Sequence, residues 1–531
     1  MPGAVVCGTR HRHPVLSGTA RPAPARPWRT VHLASLVEMI ESGFDDRVLL
    51  RSDDGPVTGA DLGRLVRRGG STLAGSHRAL MYVGENHPML PVALFAAAWA
   101  GVPFVPVNYR LEDDHLNALI DRMPGSLVVA DATTAPRIVG HDVMTFDDWL
   151  HSLAAVSDDA VTNEAPDDDE DVAIVLYTSG TTSEPKSALL RHRHLMAYLL
   201  GSVEFGSAGA DEAMLVSVPP YHIAGMANLL SNMFAGRRLA YLQHFEAARW
   251  LATVRSERIT HAMLVPTMLA RIIEALDGAP ADAPTLRSLS YGGAKVSARV
   301  LRSALTAFPH TGFVNAYGLT ETASTIALLG PEDHRRAIES DDPVVQRRLS
   351  SAGQVLPMVE IEVRDADDHP LPAGEIGMIF LRGEQISGEY ASGSLLDAHG
   401  WFCTRDRGSV DDEGYLFLEG RADDTIIRGG ENIAPAEIEE VLLAHPDVIE
   451  ACVVGVPDEE WGQRIVAAVV LRSGTHPAVS VDELRAAVRA QLRSSKTPET
   501  IMFVDTLPHT PTGKMRRRVV QQDFMDRGPT T

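Results

Sequence analysis

From Val31 onward the chain alternates amphipathic stretches of helical spacing with short apolar runs of strand length. His32 to Ser42 and Gly59 to Leu73 predict helices, and Ala79 to Val83 predicts a strand. Leu90 to Val107 (LPVALFAAAWAGVPFVPV) carries no charge over 18 residues, the lower length for a membrane span. Gly101, Pro103 and Pro106 interrupt it, so it reads as a buried helix to Ala100, a turn and a short strand. Further helices are predicted at Glu112 to Arg122, Ser187 to Leu200, Met226 to Phe234 and Phe245 to Arg255. Strands are predicted at Ser126 to Ala130, Val172 to Leu176, Met214 to Val218 and Ala262 to Val265. Such alternation predicts an α/β fold, a mostly parallel sheet covered by helices.

The pattern changes at residues 353–418, where short β-like runs (Glu360 to Arg364, Gly377 to Arg382, Tyr415 to Leu418) are separated by Gly, Pro and Asp. An antiparallel sheet or small barrel-like subdomain is expected there. Gly420 to Asp424 (GRADD) is polar enough for an inter-domain joint, and a mixed α/β tail follows. In that tail Pro435 opens a helix with Glu437, Glu439 and Glu440 in its first turns, and Val481 to Leu492 predicts another.

A chain of 531 residues exceeds one compact core, so at least two domains are required. The net charge of −22 excludes nucleic acid or an anionic membrane as a default partner. Anionic small molecules need only a local positive site. Cys7, Cys403 and Cys452 lie far apart without metal spacing, which suits a reducing, cytoplasmic setting and gives no disulfide framework or zinc site. Residues 1–30 are rich in Pro, Arg and His with no apolar core of a secretory signal, and read as a disordered tail or an early start codon. A transit peptide is the alternative. Ser157 to Asp171, ending in DDDED, reads as a solvated loop.

Candidate chemistry starts at Tyr177 to Lys186 (YTSGTTSEPK), between a predicted strand and a predicted helix. Its hydroxyls, backbone N–H groups and one ammonium suit a polyphosphate, although the spacing is not that of a P-loop. A polar surface turn fits the composition equally well. His222, in PPYHIAG, follows a predicted strand at the edge where open α/β sheets bind ligands, and a packing role is the alternative. In VNAYGLTE, Thr320 beside Glu321 suits phosphate with Mg²⁺, or a helix cap with an acidic first turn. Lys514, in a Thr-Gly-Lys turn before Arg516 to Arg518, reads by itself as a solvated lysine.

In order, YTSGTTSEPK, PPYHIAG, GGAKVS, NAYGLTE, GEIG, WFCTRD, GRADD, RGGENIAPAEIE and PTGK resemble the acyl-adenylate-forming (AMP-binding) superfamily, most like its acyl-CoA and aryl-CoA synthetases. The resemblance spans roughly residues 31 to 520. It implies a large N-terminal domain, residues 31–422, including the β-rich subdomain. A hinge at Asp423 would join it to a small mobile α+β domain, residues 423–531. It implies ATP, Mg²⁺ and CoA: a carboxylate attacks the α-phosphate to give acyl-AMP and pyrophosphate, then a thiol displaces AMP.

Carried onto matching positions, Thr178, Ser179, Gly180, Thr181, Thr182 and Lys186 would grip the β- and γ-phosphates. Thr320 would bond the α-phosphate and Glu321 would hold Mg²⁺. Gly292, Gly293 and Ala294 resemble the adenine-side turn, with Asn315, Tyr317 and Gly318 by the base. Asp406 would bond the ribose, with Arg421 close by. Lys514 matches the lysine that bridges carboxylate and phosphate. Gly429, Gly430 and Glu431 match the segment that replaces it at the site after the swing, where glycines admit a pantetheine arm. His222 resembles the gate between acyl pocket and thiol tunnel.

Ser183 and Ser187 stand where the family has glycine, Arg405 replaces the glycine of a TGD triplet, and Lys295 replaces a frequent proline. Expected pocket residues (Met226, Asn228, Leu229, Pro266 to Met268, Tyr291, Tyr317) are mainly apolar, favouring a fatty or aromatic monocarboxylic acid. The expected function is an acid–CoA ligase, as monomer or homodimer, with no nucleic-acid partner and no membrane span. Loading of a carrier protein in trans, or activation of a non-carboxylate such as nitrite, are the alternative reactions. A catalytically dead binding module is opposed by the retained Lys514 and Glu321.

Overall fold

The computed structural model describes residues 32–52, 55–157, 161, 164, 166–178, 185–472, 479–510 and 515–527. The tail 1–30, the loop residues Ser179, Gly180, Thr181, Thr182 and Ser183, and Lys514 lie outside the described residues.

Two large sheets form the N-terminal part. In one, strands Phe104–Val107, Leu80–Val83, Leu127–Ala130 and Asp142–Thr145 run parallel, with Val172–Thr178 parallel beside Phe104–Val107. The other has a parallel half, Arg238–Tyr241, Ala213–Val216, His261–Leu264, Ser288–Gly292 and Gly312–Leu319. It continues antiparallel through Ser324–Leu329, Gly353–Val355, Tyr415–Arg421, Phe402–Val410, Gly377–Arg382 and Glu360–Arg364. The β-rich stretch 353–418 is therefore mostly an antiparallel extension of this sheet.

Alternation along the strands decides the layers, because successive side chains point to opposite faces. Leu80 and Tyr82 join Met214 and Val216 in one apolar core between the sheets. Met81 and Val83 face a second core on the outer side of the first sheet. Ala213 and Leu215 face a third, under helices Ala247–Ser256, Pro266–Leu276 and Ala298–Ala307. Helix Leu90–Trp99 lies in the central layer, and all its residues are buried, as a helix apolar all round requires. Among the described residues no helix is long and apolar enough to cross a membrane. The small C-terminal domain is α+β: strands Val448–Asp458, Gly462–Leu471 and Thr500–Phe503, packed with helices Pro435–Leu443 and Val481–Gln491.

One expectation is corrected. Ser187 to Leu200 is not one helix: Lys186–Arg191 is a strand antiparallel to Val172–Thr178, and the helix runs His192–Ser202. The strand is imposed by pairing with a neighbour, which local composition does not encode. Ser187 consequently sits in regular strand opposite Tyr177, where no positive φ is needed and serine is tolerated.

Candidate active site

The phosphate-loop candidate joins two antiparallel strands, Val172–Thr178 and Lys186–Arg191. Thr178 and Lys186 are the ladder pair that flanks it, and the Thr178 hydroxyl donates to the Lys186 carbonyl at 3.4 Å. Across from it, strand Gly312–Leu319 ends in a tight turn carrying Thr320 and Glu321. That turn is strained: Ala323 and Ser324 hold φ of 49° and 105°, unusual for residues with a side chain. A Cβ at Gly318 would lie 1.8 Å from the Ser324 carbonyl oxygen, so only glycine fits there. The cap hydroxyl of this turn belongs to Thr322, which accepts the Leu319 N–H at 2.9 Å. Thr320 keeps its own hydroxyl without a hydrogen bond among the described residues.

Tyr390, which sequence reasoning missed, closes this corner. Its hydroxyl donates to Glu321 Oε1, and its ring centroid lies 5.9 Å from Lys186 Nζ. Burial, and then the Glu321 charge, push the phenol well above its ordinary range, so it stays a donor. Glu321 Oε2 has no hydrogen bond among the described residues. A carboxylate oxygen beside an unengaged hydroxyl is a donor set that fits Mg²⁺.

A second cluster forms on the antiparallel half. The strand Phe402–Val410 bulges where residues 404–406 face a single partner position, between Met378 and Phe380. Arg405 takes the bulge conformation at φ 60°, the role for which glycine is the usual residue. The bulge presents Asp406 to Tyr317, whose hydroxyl donates at 2.5 Å, and to Arg421, whose Nε lies 2.9 Å away. Arg421 also donates to the Thr404 carbonyl at 3.1 Å. The neighbouring strand supplies Gly292, where a Cβ would sit 2.2 Å from the Ala316 oxygen, and Gly293, at φ 88° before Ala294. Asn315 donates to the Ser351 carbonyl at 3.1 Å, and the Tyr291 hydroxyl is engaged by His334 at 2.8 Å.

His222 opens helix Ile223–Ala235, and its buried Nε2 has no hydrogen-bond partner among the described residues. Burial, aided by the Arg110 charge, lowers its imidazole to about 3, so it is neutral near pH 7. Met226 and Leu229 of that helix are fully buried in the core between the sheets.

The remaining candidates sit on the small domain. Gly429 and Gly430, both at positive φ (57° and 82°), make the two-residue turn between Ile426–Arg428 and Glu431–Ile433. Glu431 is engaged inside its own domain, by Ser495 at 3.2 Å and Arg493 at 3.8 Å. Asp423 lies in a short turn within 3.9 Å of Arg405. Arg517, a second residue the sequence did not single out, holds Glu439 at 2.7 Å and Asp424 at 3.4 Å. It thereby ties the residue after Asp423 to the stretch following Lys514.

Two clusters thus form, one hydroxyl-rich with a lysine and a carboxylate, the other an Asp–Tyr–Arg cluster whose Arg421 charge reaches Tyr390. The AMP-binding enzyme family model matches residues 40–391, and the AMP-binding enzyme C-terminal domain model matches residues 437–514. This chain belongs to the AMP-binding enzyme family. The indoleacetate–CoA ligase of Aromatoleum aromaticum is 33% identical over 500 residues, covering 90% of this chain and 95% of that protein. The fatty acid–[acyl-carrier-protein] ligase ScoC of Streptomyces coeruleorubidus is 33% identical over 460 residues, covering 83% and 86%. The ATP-bound crystal structure of MatB from Rhodopseudomonas palustris superimposes with a TM-score of 0.81 at 26% identity, covering 93% of this chain and 99% of that one.

Proposed function

We infer that this AMP-binding enzyme is an acid–CoA ligase. It activates a carboxylic acid with ATP as acyl-AMP, releasing pyrophosphate, and then forms the CoA thioester, releasing AMP. The convergence of Thr178, Lys186, Thr320 and Glu321 at one corner, with Asp406 held at the next, carries this reading.

In the first half-reaction a carboxylate oxygen attacks the α-phosphorus, and the bond to the β-phosphate oxygen breaks with its electrons leaving on pyrophosphate. Such a step needs alignment and neutralisation of charge more than covalent help. Thr178 to Thr182 and Lys186 hold the β- and γ-phosphates, and Thr320 bonds the α-phosphate. Glu321 would hold Mg²⁺, which would supply charge neutralisation at the phosphate oxygens. Asp406, fixed by Tyr317 and Arg421, accepts from the ribose hydroxyls, and the turn at Gly292, Gly293 and Ala294 with Asn315, Tyr317 and Gly318 borders the adenine. Lys514 bridges the attacking carboxylate and the phosphate.

In the second half-reaction the small domain swings at Asp423, removing Lys514 and bringing Gly429, Gly430 and Glu431 to the site. The thiol sulfur attacks the acyl carbon, its bond to the AMP oxygen breaks, and the thiol proton leaves to solvent. Neutral His222 gates the thiol path. The acid is a fatty or aromatic monocarboxylate, supported by the named acids of the two relatives above. A second reading, transfer to a carrier protein in trans, is favoured by the likeness to ScoC.

The test is AMP release by purified protein with Mg-ATP, CoA and acids of varied length and aromaticity, with nitrite and a carrier protein as further arms. Acid- and CoA-dependent AMP release is expected. Release that needs the carrier protein selects the second reading, and no acid-dependent release in any arm overturns both.

A further inference from the structure

The groups that meet at the phosphate corner come from two different sheets. Thr178 and Lys186 end strands of one, whereas Thr320 and Glu321 end a strand of the other. Two layers packed through apolar side chains do not by themselves fix polar atoms to within an ångström.

Residues 385–391 bridge the gap as a strap. On one side the Gln385 amide donates to the carbonyls of Thr322 (3.0 Å) and Thr325 (2.9 Å), and the Gly388 N–H donates to the Glu321 carbonyl at 2.9 Å. On the other side the Ser387 hydroxyl donates to the Leu189 carbonyl at 2.5 Å, and the Ala391 N–H to the Ser187 carbonyl at 2.9 Å. Glu389 accepts from Nε and Nη2 of Arg191, at 2.8 and 2.6 Å, and Tyr390 pairs with Ala188 in the ladder. The strap is thus bonded to the phosphate hairpin and to the Glu321 turn at once.

Tyr390 is the strap residue whose side chain enters the site. It is only 8% exposed, its hydroxyl bonds Glu321 Oε1, and its ring lies against the Lys186 ammonium. A charge-assisted hydrogen bond to one carboxylate oxygen fixes the rotation of the group and leaves the other oxygen aimed. A ring face beside an ammonium seats it without neutralising it.

We propose that Tyr390 is a positioning residue for the metal–nucleotide, setting Glu321 for the divalent cation and Lys186 for the phosphates. The proposal rests on the adenylation reading above, since it takes the corner as the polyphosphate site. Groups that orient a metal ligand change metal affinity by roughly 10- to 100-fold when removed.

The experiment compares wild type, Tyr390→Phe and Ser387→Ala. Mn²⁺ binding to the protein–ATP complex is read by electron paramagnetic resonance, and ATP–pyrophosphate exchange is followed against free Mg²⁺. Tyr390→Phe keeps the ring and removes the hydroxyl with its bond to Glu321. It is expected to weaken Mn²⁺ binding and raise the Mg²⁺ constant about 10-fold, with a smaller change in rate at saturating metal. Ser387→Ala removes one of the strap's bonds to the hairpin and leaves those of Glu389, Tyr390 and Ala391, so it is expected to leave the metal constant within about 2-fold. Equal shifts in both variants, or wild-type Mn²⁺ binding in Tyr390→Phe, overturn the proposal. Absence of acid-dependent exchange in the wild type counts instead against the ligase reading, and the Mn²⁺ comparison then still decides the role of Tyr390.

Discussion

Arg405 shows how one position can satisfy the backbone and still carry strain. Its φ of 60° belongs to the bulge that turns Asp406 toward Tyr317 and Arg421. A side chain in that conformation costs roughly 1 kcal/mol relative to glycine. The compensating contact to Asp423 is long, 3.9 Å, and exposed on both sides, so it contributes little. Arg405→Gly is therefore predicted to hold or raise stability by up to about 1 kcal/mol, whereas the β-branched Arg405→Val should lower it. Urea unfolding midpoints decide, and equal midpoints for the two variants would refute the strain.

At the scale of an element, helix Leu33–Phe44 begins on two imidazoles instead of the usual hydroxyl or carboxylate. His32 Nδ1 accepts the Ala34 N–H at 3.0 Å, and His192 Nδ1 accepts the Leu33 N–H at 3.3 Å, with the rings 3.4 Å apart. Only neutral rings can accept at these atoms. Burial lowers His32 to about 4, against the charges of Asp168 and Asp167, and lowers His192 to about 2, with His32 acting in the same sense. In the unfolded chain both titrate near 6.5, so below that pH the unfolded state binds more protons and stability falls. The contribution is complete above pH 6.5 and declines on acidification toward the folded values, by at most about 1.4 kcal/mol per pH unit for each ring. Unfolding midpoints at pH 7, 6 and 5 should fall accordingly, and His192→Asn, which keeps an acceptor but not the titration, should flatten the decline. An unchanged slope in that variant would show that acid acts elsewhere.

For the whole molecule, polar contacts join the two domains among the described residues. Lys295 Nζ lies 2.7 Å from Glu440, and Arg299 donates to the Val448 carbonyl at 3.2 Å. The first pair is half exposed on each side and is worth about 0–1 kcal/mol. An exposed pair of this strength is compatible with the domain swing proposed above. Lys295→Glu is predicted to repel Glu440 and to raise the radius of gyration in small-angle scattering at low salt. The reciprocal double variant Lys295→Glu with Glu440→Lys should restore it, and salt well above about 0.1 M should mute the difference. Indistinguishable scattering from the single variant and wild type would remove this pair from domain placement.

Local pattern determined much of this protein. Helix Leu90–Trp99, its turn and strand Phe104–Val107 follow from one uncharged run cut by Gly101 and Pro103, and the parallel strands follow from apolar runs of strand length. The ordered motifs were enough for the family, and they name Thr178, Glu321 and Asp406 as candidates, because short segments carry that chemistry. What only the tertiary structure decided lies in pairings between distant segments. Lys186–Arg191 is a strand because Val172–Thr178 and Tyr390 pair with it, although its own composition continues into a helix. Tyr317 meets Asp406 across 89 positions, and Tyr390 meets Glu321 across 69. A hydrogen bond between two sheets leaves no periodicity in either segment, so Tyr390 could be found only where the chain had folded back on itself.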